Sequence, residues 1–133
     1  MQEIKQLLEN YLAGKINSEN FVIQYLALAR QLRDETQAAL DKFPGLKEQL
    51  NGLFVKRFEG LVSEQEYEEK WHRLTSQLGE IRVKPGSKED EILSHLFVEA
   101  DAYREDPESR DEGLHIGNIE LKEEVVKALQ ILD

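Results

Sequence analysis

The chain contains no cysteine, which excludes disulfides and thiolate metal sites but leaves the compartment open. No apolar run approaches the ~18 residues of a membrane span. The opening Met1-Gln2-Glu3-Ile4-Lys5 lacks the basic-then-apolar order of a signal peptide, so a cytoplasmic protein without membrane contact is expected. Nucleophilic catalysis finds no candidate, because there is no thiol, no glycine-rich nucleophile turn and no phosphate loop; the protein is expected not to be an enzyme. No segment alternates apolar and polar residues long enough to build a sheet, and only Ile81-Arg82-Val83 is a short candidate for extended backbone.

What is present is an ordinary globular composition with a lopsided charge. The 133 residues are 40% hydrophobic and 33% charged, enough to bury a core in one domain. Residues 1–86 carry 12 Lys/Arg against 13 Asp/Glu, whereas residues 87–133 carry 5 against 14. Nearly all of the formal charge of −10 therefore lies in the last third. Glu99, Asp101, Glu105, Asp106, Glu108, Asp111 and Glu112 fall within fourteen positions, relieved only by Arg104 and Arg110. Like charges so close repel one another, and the 99–113 segment taken alone has the composition of a disordered chain. The field disfavours nucleic acid or an anionic membrane as direct ligand and suits a basic protein partner.

The apolar spacing is helical throughout and predicts an all-α, antiparallel helical bundle of about five to six helices. Ile4, Leu7, Leu8, Tyr11 and Leu12 mark the first helix, with Gly14 as its terminator. Asn17 or Ser18 caps a second helix through Phe21, Tyr25, Leu28, Leu32 and on towards Leu40, stopped by Phe43-Pro44-Gly45. A third runs through Leu46, Leu50, Leu53, Phe54 and Phe58. Ser63-Glu64-Gln65-Glu66 is a capping box that opens a fourth through Tyr67, Trp71, Leu74 and Leu78. Lys84-Pro85-Gly86 is a break, Ser87 caps the fifth helix, and Asn118 is expected to cap the sixth, with Leu121, Val125, Ala128, Leu129 and Leu132 on its core stripe. Gly14 to Leu28 echoes Gly60 to Leu74 at an offset of 46. Either a duplication or two hairpins meeting the same capping requirement accounts for this, and neither implies a site.

In the fifth helix Ile92, Leu93, Leu96, Phe97, Ala100 and Tyr103 share one arc and face the core. Glu91, His95, Val98, Asp101, Ala102 and Glu105 lie outside it, so carboxylates surround two small apolar side chains, as at the rim of an interface. A plain solvated face would look similar. The acidic turn-rich run Glu105 to Gly113 adjoins that face and favours a binding surface of Glu91, His95, Val98, Asp101, Glu105, Asp106, Glu108, Asp111 and Glu112.

Metal sites fit poorly. A calcium loop counted from Asp101 places Glu112 at position twelve, but Tyr103 stands at position three and Asp106 where the sharp turn needs glycine. A di-metal bundle site needs two Glu-x-x-His pairs and two further carboxylates. Glu69 and His72 supply one pair; Glu112 and His115 have the spacing, but Gly113 spoils the helix. No cofactor and no metal is expected.

The run Ile92-Leu93-Ser94-His95-Leu96-Phe97-Val98-Glu99-Ala100-Asp101-Ala102-Tyr103, the Asp106-Pro107-Glu108-Ser109-Arg110-Asp111 turn, and Ile119 with Leu121 opening a final amphipathic helix resemble the colicin D immunity-protein family. Phe54 to Val62, the Ser63 cap, Tyr67 and Trp71 look like that family's first helix pair. The resemblance covers roughly residues 46–133 of a single helical domain, with 1–45 an extra N-terminal helical hairpin. It implies a small helical protein that binds, one to one, the nuclease domain of a cognate bacteriocin or contact-dependent inhibition toxin that cuts transfer RNA. Carboxylates would stand in the toxin's basic active site where RNA phosphates would lie. Asp101 and Asp106 match acidic positions of the family's toxin-facing segment; a further family carboxylate falls where this chain has Arg104, with Glu105 beside it. The alternatives are an acidic helical adaptor for another basic protein and a metal-binding helical protein.

Overall fold

The computed structural model describes residues 1–111 and 113–132, with the side chain of Pro107 left aside. The chain is all-α, of the helical-bundle class. Its helices are α1 (Gln2–Leu12), α2 (Ser18–Asp41), α3 (Leu46–Phe58), α4 (Glu64–Thr75), α5 (Lys88–Ala102) and α6 (Asn118–Leu132), with single 3-10 turns at Ser76–Leu78 and Pro107–Ser109. Among the described residues the only β-type pairing is one isolated parallel bridge, Tyr103 with Ile116. Residues 81–83 form no strand; Val83 is buried and its carbonyl accepts from Thr36 Oγ1 at 3.0 Å.

The chain divides into two compact units, residues 1–32 with 86–133 and residues 33–85, the boundary falling inside α2. The 1–45 stretch is thus shared between units. α1 packs on α6, because each carries an apolar stripe that needs cover: Ile4, Leu7, Leu8 and Tyr11 on one, Leu121, Val125 and Ala128 on the other. α5 packs on α6 through Ile92, Leu93, Leu96 and Ala100. Tyr11 stacks on Phe21 at 4.4 Å and Phe21 on Tyr25 at 5.7 Å, all three buried. Their polar ends are satisfied, as burial requires: Tyr11 Oη bonds Ser18 Oγ at 2.6 Å, and Tyr25 Oη donates to the Leu93 carbonyl at 2.8 Å. Burial raises the Tyr11 phenol pKa against the lowering effect of the Ser18 bond.

The second unit has its own core of Leu40, Leu46, Leu50 and Leu78, flanked by Phe43, Phe54, Trp71, Leu74 and Ile81. Trp71 Nε1 donates to the Pro85 carbonyl at 2.9 Å, and Arg82 clasps Glu35 through two hydrogen bonds. Helix α4 ends at Thr75 and tightens into the 3-10 turn before reaching Leu78.

The echo at offset 46 recurs hydrogen bond by hydrogen bond. Gly14 N donates to the Tyr11 carbonyl and Lys15 N to that of Asn10; Gly60 N donates to Arg57 and Leu61 N to Lys56. Both glycines are left-handed, at φ 78° and 74°, where a Cβ is disfavoured. Asn17 Oδ1 then accepts from Asn20 N at 2.8 Å, and Ser63 Oγ from Glu66 N at 3.1 Å. Asn17, rather than Ser18, caps α2; Ser18 is occupied by Tyr11.

Candidate functional site

Ser87 opens α5: its Oγ accepts from Asp90 N at 3.2 Å, and Asp90 returns the bond to Gly86 N at 2.8 Å. With Glu89, Asp90 and Glu91 in the first turn, the helix is braced by caps and by charge opposing its dipole. The buried arc falls where the periodicity places it, except that Phe97 is half-buried, with the Arg30 guanidinium 5.7 Å from its ring centroid, and that the helix ends at Ala102, leaving Tyr103 in extended backbone and Glu105 in the loop. Glu91, His95, Val98 and Asp101 are exposed, Val98 at 63%, and Ala102 is half-buried.

His95 is not free on that face. Its Nε2 lies 2.9 Å from Glu124 Oε2 on α6, and Lys127 reaches the other oxygen of Glu124 at 3.4 Å. Burial works to raise the Glu124 pKa, but the bonds from His95 and Lys127 outweigh it and hold the carboxyl below its ordinary value. Beside this pair runs a groove of about 430 Å³ between α5 and α6, floored by Ile92, Leu96 and Ala128 and edged by Glu91 and Ile131. Sequence reasoning missed Glu124 and Ile131. Their signal was a second stripe on α6 at 124, 128 and 131, adjacent to the core stripe.

The acidic loop after α5 is held from inside. Arg104 N donates to the Ile116 carbonyl at 2.9 Å and Ile116 N to that of Ala102 at 3.0 Å, closing the neck beside the buried Tyr103. Tyr103 Oη donates to Asn118 Oδ1 at 3.1 Å; burial, with Glu105 adding to it, raises the phenol pKa. Asn118 is therefore the first residue of α6 rather than its cap. The cap position is Gly117, whose N–H donates to Glu120 Oε2 at 3.0 Å. The backbone N–H of Glu120 itself, with that of Gly117, holds the Glu120 carboxyl below its usual pKa.

Arg110 crosses the loop, with Nε donating to the Arg104 carbonyl at 2.7 Å and Nη2 to that of Glu105 at 3.0 Å. Its guanidinium lies on Gly117, where a Cβ would sit 2.6 Å from Cζ. Arg104 turns its Nη1 to the carbonyls of Asp101 and Tyr103. Asp106 folds the 3-10 turn: its side chain accepts from Glu108 N at 3.0 Å and its carbonyl from Ser109 Oγ at 2.8 Å. His115 Nδ1 accepts from Asp111 N at 2.8 Å, so the 4.0 Å approach of Asp111 Oδ2 to that nitrogen is not an ion pair while it accepts. A segment with the composition of a disordered chain is thus pinned, because its two arginines serve backbone carbonyls.

The carboxylates consequently keep their charge outward. Glu105, Asp106, Glu108 and Asp111 are exposed, and none is ion-paired to Lys or Arg among the described residues. Glu112 lies outside the described residues. The expected surface resolves into two parts: Glu91 and His95 border the α5–α6 groove, while Glu105 to Asp111 form the loop. Along α5, Glu91 and Ala102 are about 16 Å apart, and Asp101 is turned about 80° from Glu91. Nine of unit one's carboxylates lie before α5 or within its first turn and α6, and the unit carries 17 Asp/Glu against 8 Lys/Arg; residues 33–85 carry 10 against 9.

Among the described residues no group of three His, Asp or Glu is gathered as a metal ion would need, and no helix is long and apolar enough to cross a membrane. No family model, curated protein or solved structure matches the chain.

Proposed function

We propose that this chain is an immunity-type binding protein that neutralises a cognate RNase toxin, one to one and without chemistry of its own, by setting the acidic loop after α5 in the toxin's basic cleft. One observation carries the reading: Glu105, Asp106, Glu108 and Asp111 project from a backbone tied down by the Tyr103–Ile116 neck and by Arg110. A loop that already holds its shape loses little freedom on docking. Uncompensated charge is unfavourable to the isolated fold, and that cost is offset when a basic partner covers it.

An enzyme that cuts a polyanion needs a focused positive cleft. Opposed fields raise association towards about 10⁸–10⁹ M⁻¹s⁻¹ at low salt, which suits an inhibitor that must reach the toxin before transfer RNA does. The α5–α6 groove supports the same reading, since apolar floor and charged edge together form the usual pattern of an interface centre and rim.

The test is co-expression with a toxin nuclease domain of the tRNA-cutting class, followed by stopped-flow association. Cells should be rescued, and a one-to-one complex should form. Neutralising the loop as Glu105→Gln, Asp106→Asn, Glu108→Gln and Asp111→Asn, which keeps the Asp106 turn acceptor, should slow association about 10- to 100-fold at low salt and flatten its salt dependence. Asp101→Ala should weaken binding by about 2–5 kcal/mol where that carboxylate is buried against a toxin cation. A complex that leaves the loop in open solvent defeats the reading.

A further inference from the structure

The two hairpins carry grooves at corresponding positions, and only one of them is lined by cations. Between α1 and the start of α2 a groove of about 530 Å³ is floored by Leu7 and Leu28 and edged by Gln6, Asn10 and Gln24, with Glu3 as its one charged lining residue. Between α3 and α4 a groove of about 380 Å³ is floored by Leu53 and Leu74 and edged by Gly52, Lys56 and Lys70, with Arg73 added. Each pair of positions differs by 46. In the first groove Gln6 Nε2 donates to Asn10 Oδ1 at 2.9 Å, so these two positions hold neutral groups. In the second the corresponding residues are Gly52 and Lys56.

The first groove shows what this hairpin geometry requires of those positions, and cations are not among the requirements. Among the described residues Lys56, Lys70 and Arg73 have no ion-pair partner. Glu69, one turn before Arg73, accepts from Gln65 instead. Gly52 stands in mid-helix with ordinary φ, and a Cβ there would meet nothing within 4 Å. A helical glycine is less stable than alanine, and neither packing nor backbone geometry asks for one here. Its effect is to leave the apolar floor open between three cations.

We propose that the α3–α4 groove is a docking site for an acidic segment of a partner protein. An apolar side chain of that segment seats on Leu53 and Leu74 beside Gly52, with carboxylates on Lys56, Lys70 and Arg73. Charge complementarity identifies the occupant: every charged residue lining the groove is basic, in a chain of net charge −10. Such a chain repels an extended nucleic acid, whereas a short acidic peptide confined to the groove feels chiefly the charges within about 10 Å. The site stands independently of the acidic loop and of the reading given to it.

A displayed library of random 16-residue peptides, selected against the whole chain, tests this. The control variant carries Gly52→Gln, Lys56→Asn, Lys70→Gln and Arg73→Ala, the residues that stand 46 positions earlier in the first hairpin; circular dichroism and thermal melting confirm its fold. Selected peptides should be rich in Asp and Glu around a Leu, Ile or Phe, shift the amide resonances of Gly52, Leu53 and Leu74, and bind the variant at least tenfold more weakly. Single cation replacements should each weaken binding about two- to fivefold. Peptides without acidic enrichment, equal binding to the variant, shifts confined to other helices, tighter binding of single-stranded RNA at the same groove, or failure to select any binder would each overturn it.

Discussion

The hairpin of α1 with the start of α2 and the hairpin of α3 with α4 share their turn and differ in their side-chain chemistry. Both turn on a left-handed glycine and restart on a polar cap, with the same amide-to-carbonyl bonds 46 residues apart. The positions that pack are then filled differently. Phe21 stacks on the Tyr11 ring at 4.4 Å; its counterpart Tyr67 has the Arg57 guanidinium 4.3 Å from its ring centroid, and Arg57 is also bonded twice to Glu64. One hairpin buries a ring pair and the other covers its ring with an ion pair, so α3 can end in open solvent, where Phe58 is 92% exposed. A turn motif sets the course of the chain but not the chemistry of the faces it brings together.

The sharpest way to break the comparison is at its aromatic centres. Phe21→Ala removes a fully buried ring with aromatic neighbours on two sides and should cost about 3–5 kcal/mol in urea denaturation. Tyr67→Ala should cost less, because Arg57 on one side of its ring can turn to water. Equal losses would mean that the cation and the ring are interchangeable packing partners.

At the turns the two copies should instead behave alike. Gly14→Ala and Gly60→Ala each force a side chain into the left-handed region, with an expected loss of about 1–2 kcal/mol. Asn17→Ala and Ser63→Ala should each lose about 1 kcal/mol, read from denaturation midpoints. A large difference within either pair would show that the turns are equivalent in shape only. Gly52→Ala should have the opposite sign, a gain of about 0.5–1 kcal/mol, which separates a glycine the fold needs from one it does not.

A smaller contrast appears in alkali. Burial raises the Tyr11 pKa in the folded chain, so the stabilisation is complete below the unfolded value of about 10. It is lost as pH rises through the higher folded value, since the unfolded chain releases its proton first. Tyr11→Phe should flatten stability above about pH 10, as followed by denaturant melts across that range. The Arg57 position in the second hairpin has no such response.

The helices were legible because each is bounded by local chemistry: a left-handed glycine, a Ser or Asn cap, a proline break. Such signals act within about four residues and need no knowledge of the rest of the chain. The sixth helix shows where local reading stops. Asn118 has the side chain of a cap, but Tyr103, fifteen residues away, takes its oxygen, and Gly117 with Glu120 starts the helix instead. The acidic surface was visible as composition, and Glu91, His95, Val98 and Asp101 do lie exposed on α5, but the periodicity carried Tyr103 and Glu105 into a helix that ends at Ala102. The order of the acidic loop was not visible, because it rests on Arg110 meeting the carbonyls of Arg104 and Glu105 and the open face of Gly117. The partnership of His95 with Glu124 was hidden for the same reason, being a contact between helices.

Amino-acid order alone established an all-helical chain, the local signals that start and stop most of its helices, and a concentration of negative charge in the last third. These depend on near-neighbour sterics, capping and simple counting. Folding in three dimensions settled that α1 covers α6, that the charged loop is a pinned structure, and that two grooves at positions 46 apart differ in their charge. Those outcomes depend on residues far apart in the chain meeting at hydrogen-bonding distance, which no local periodicity encodes.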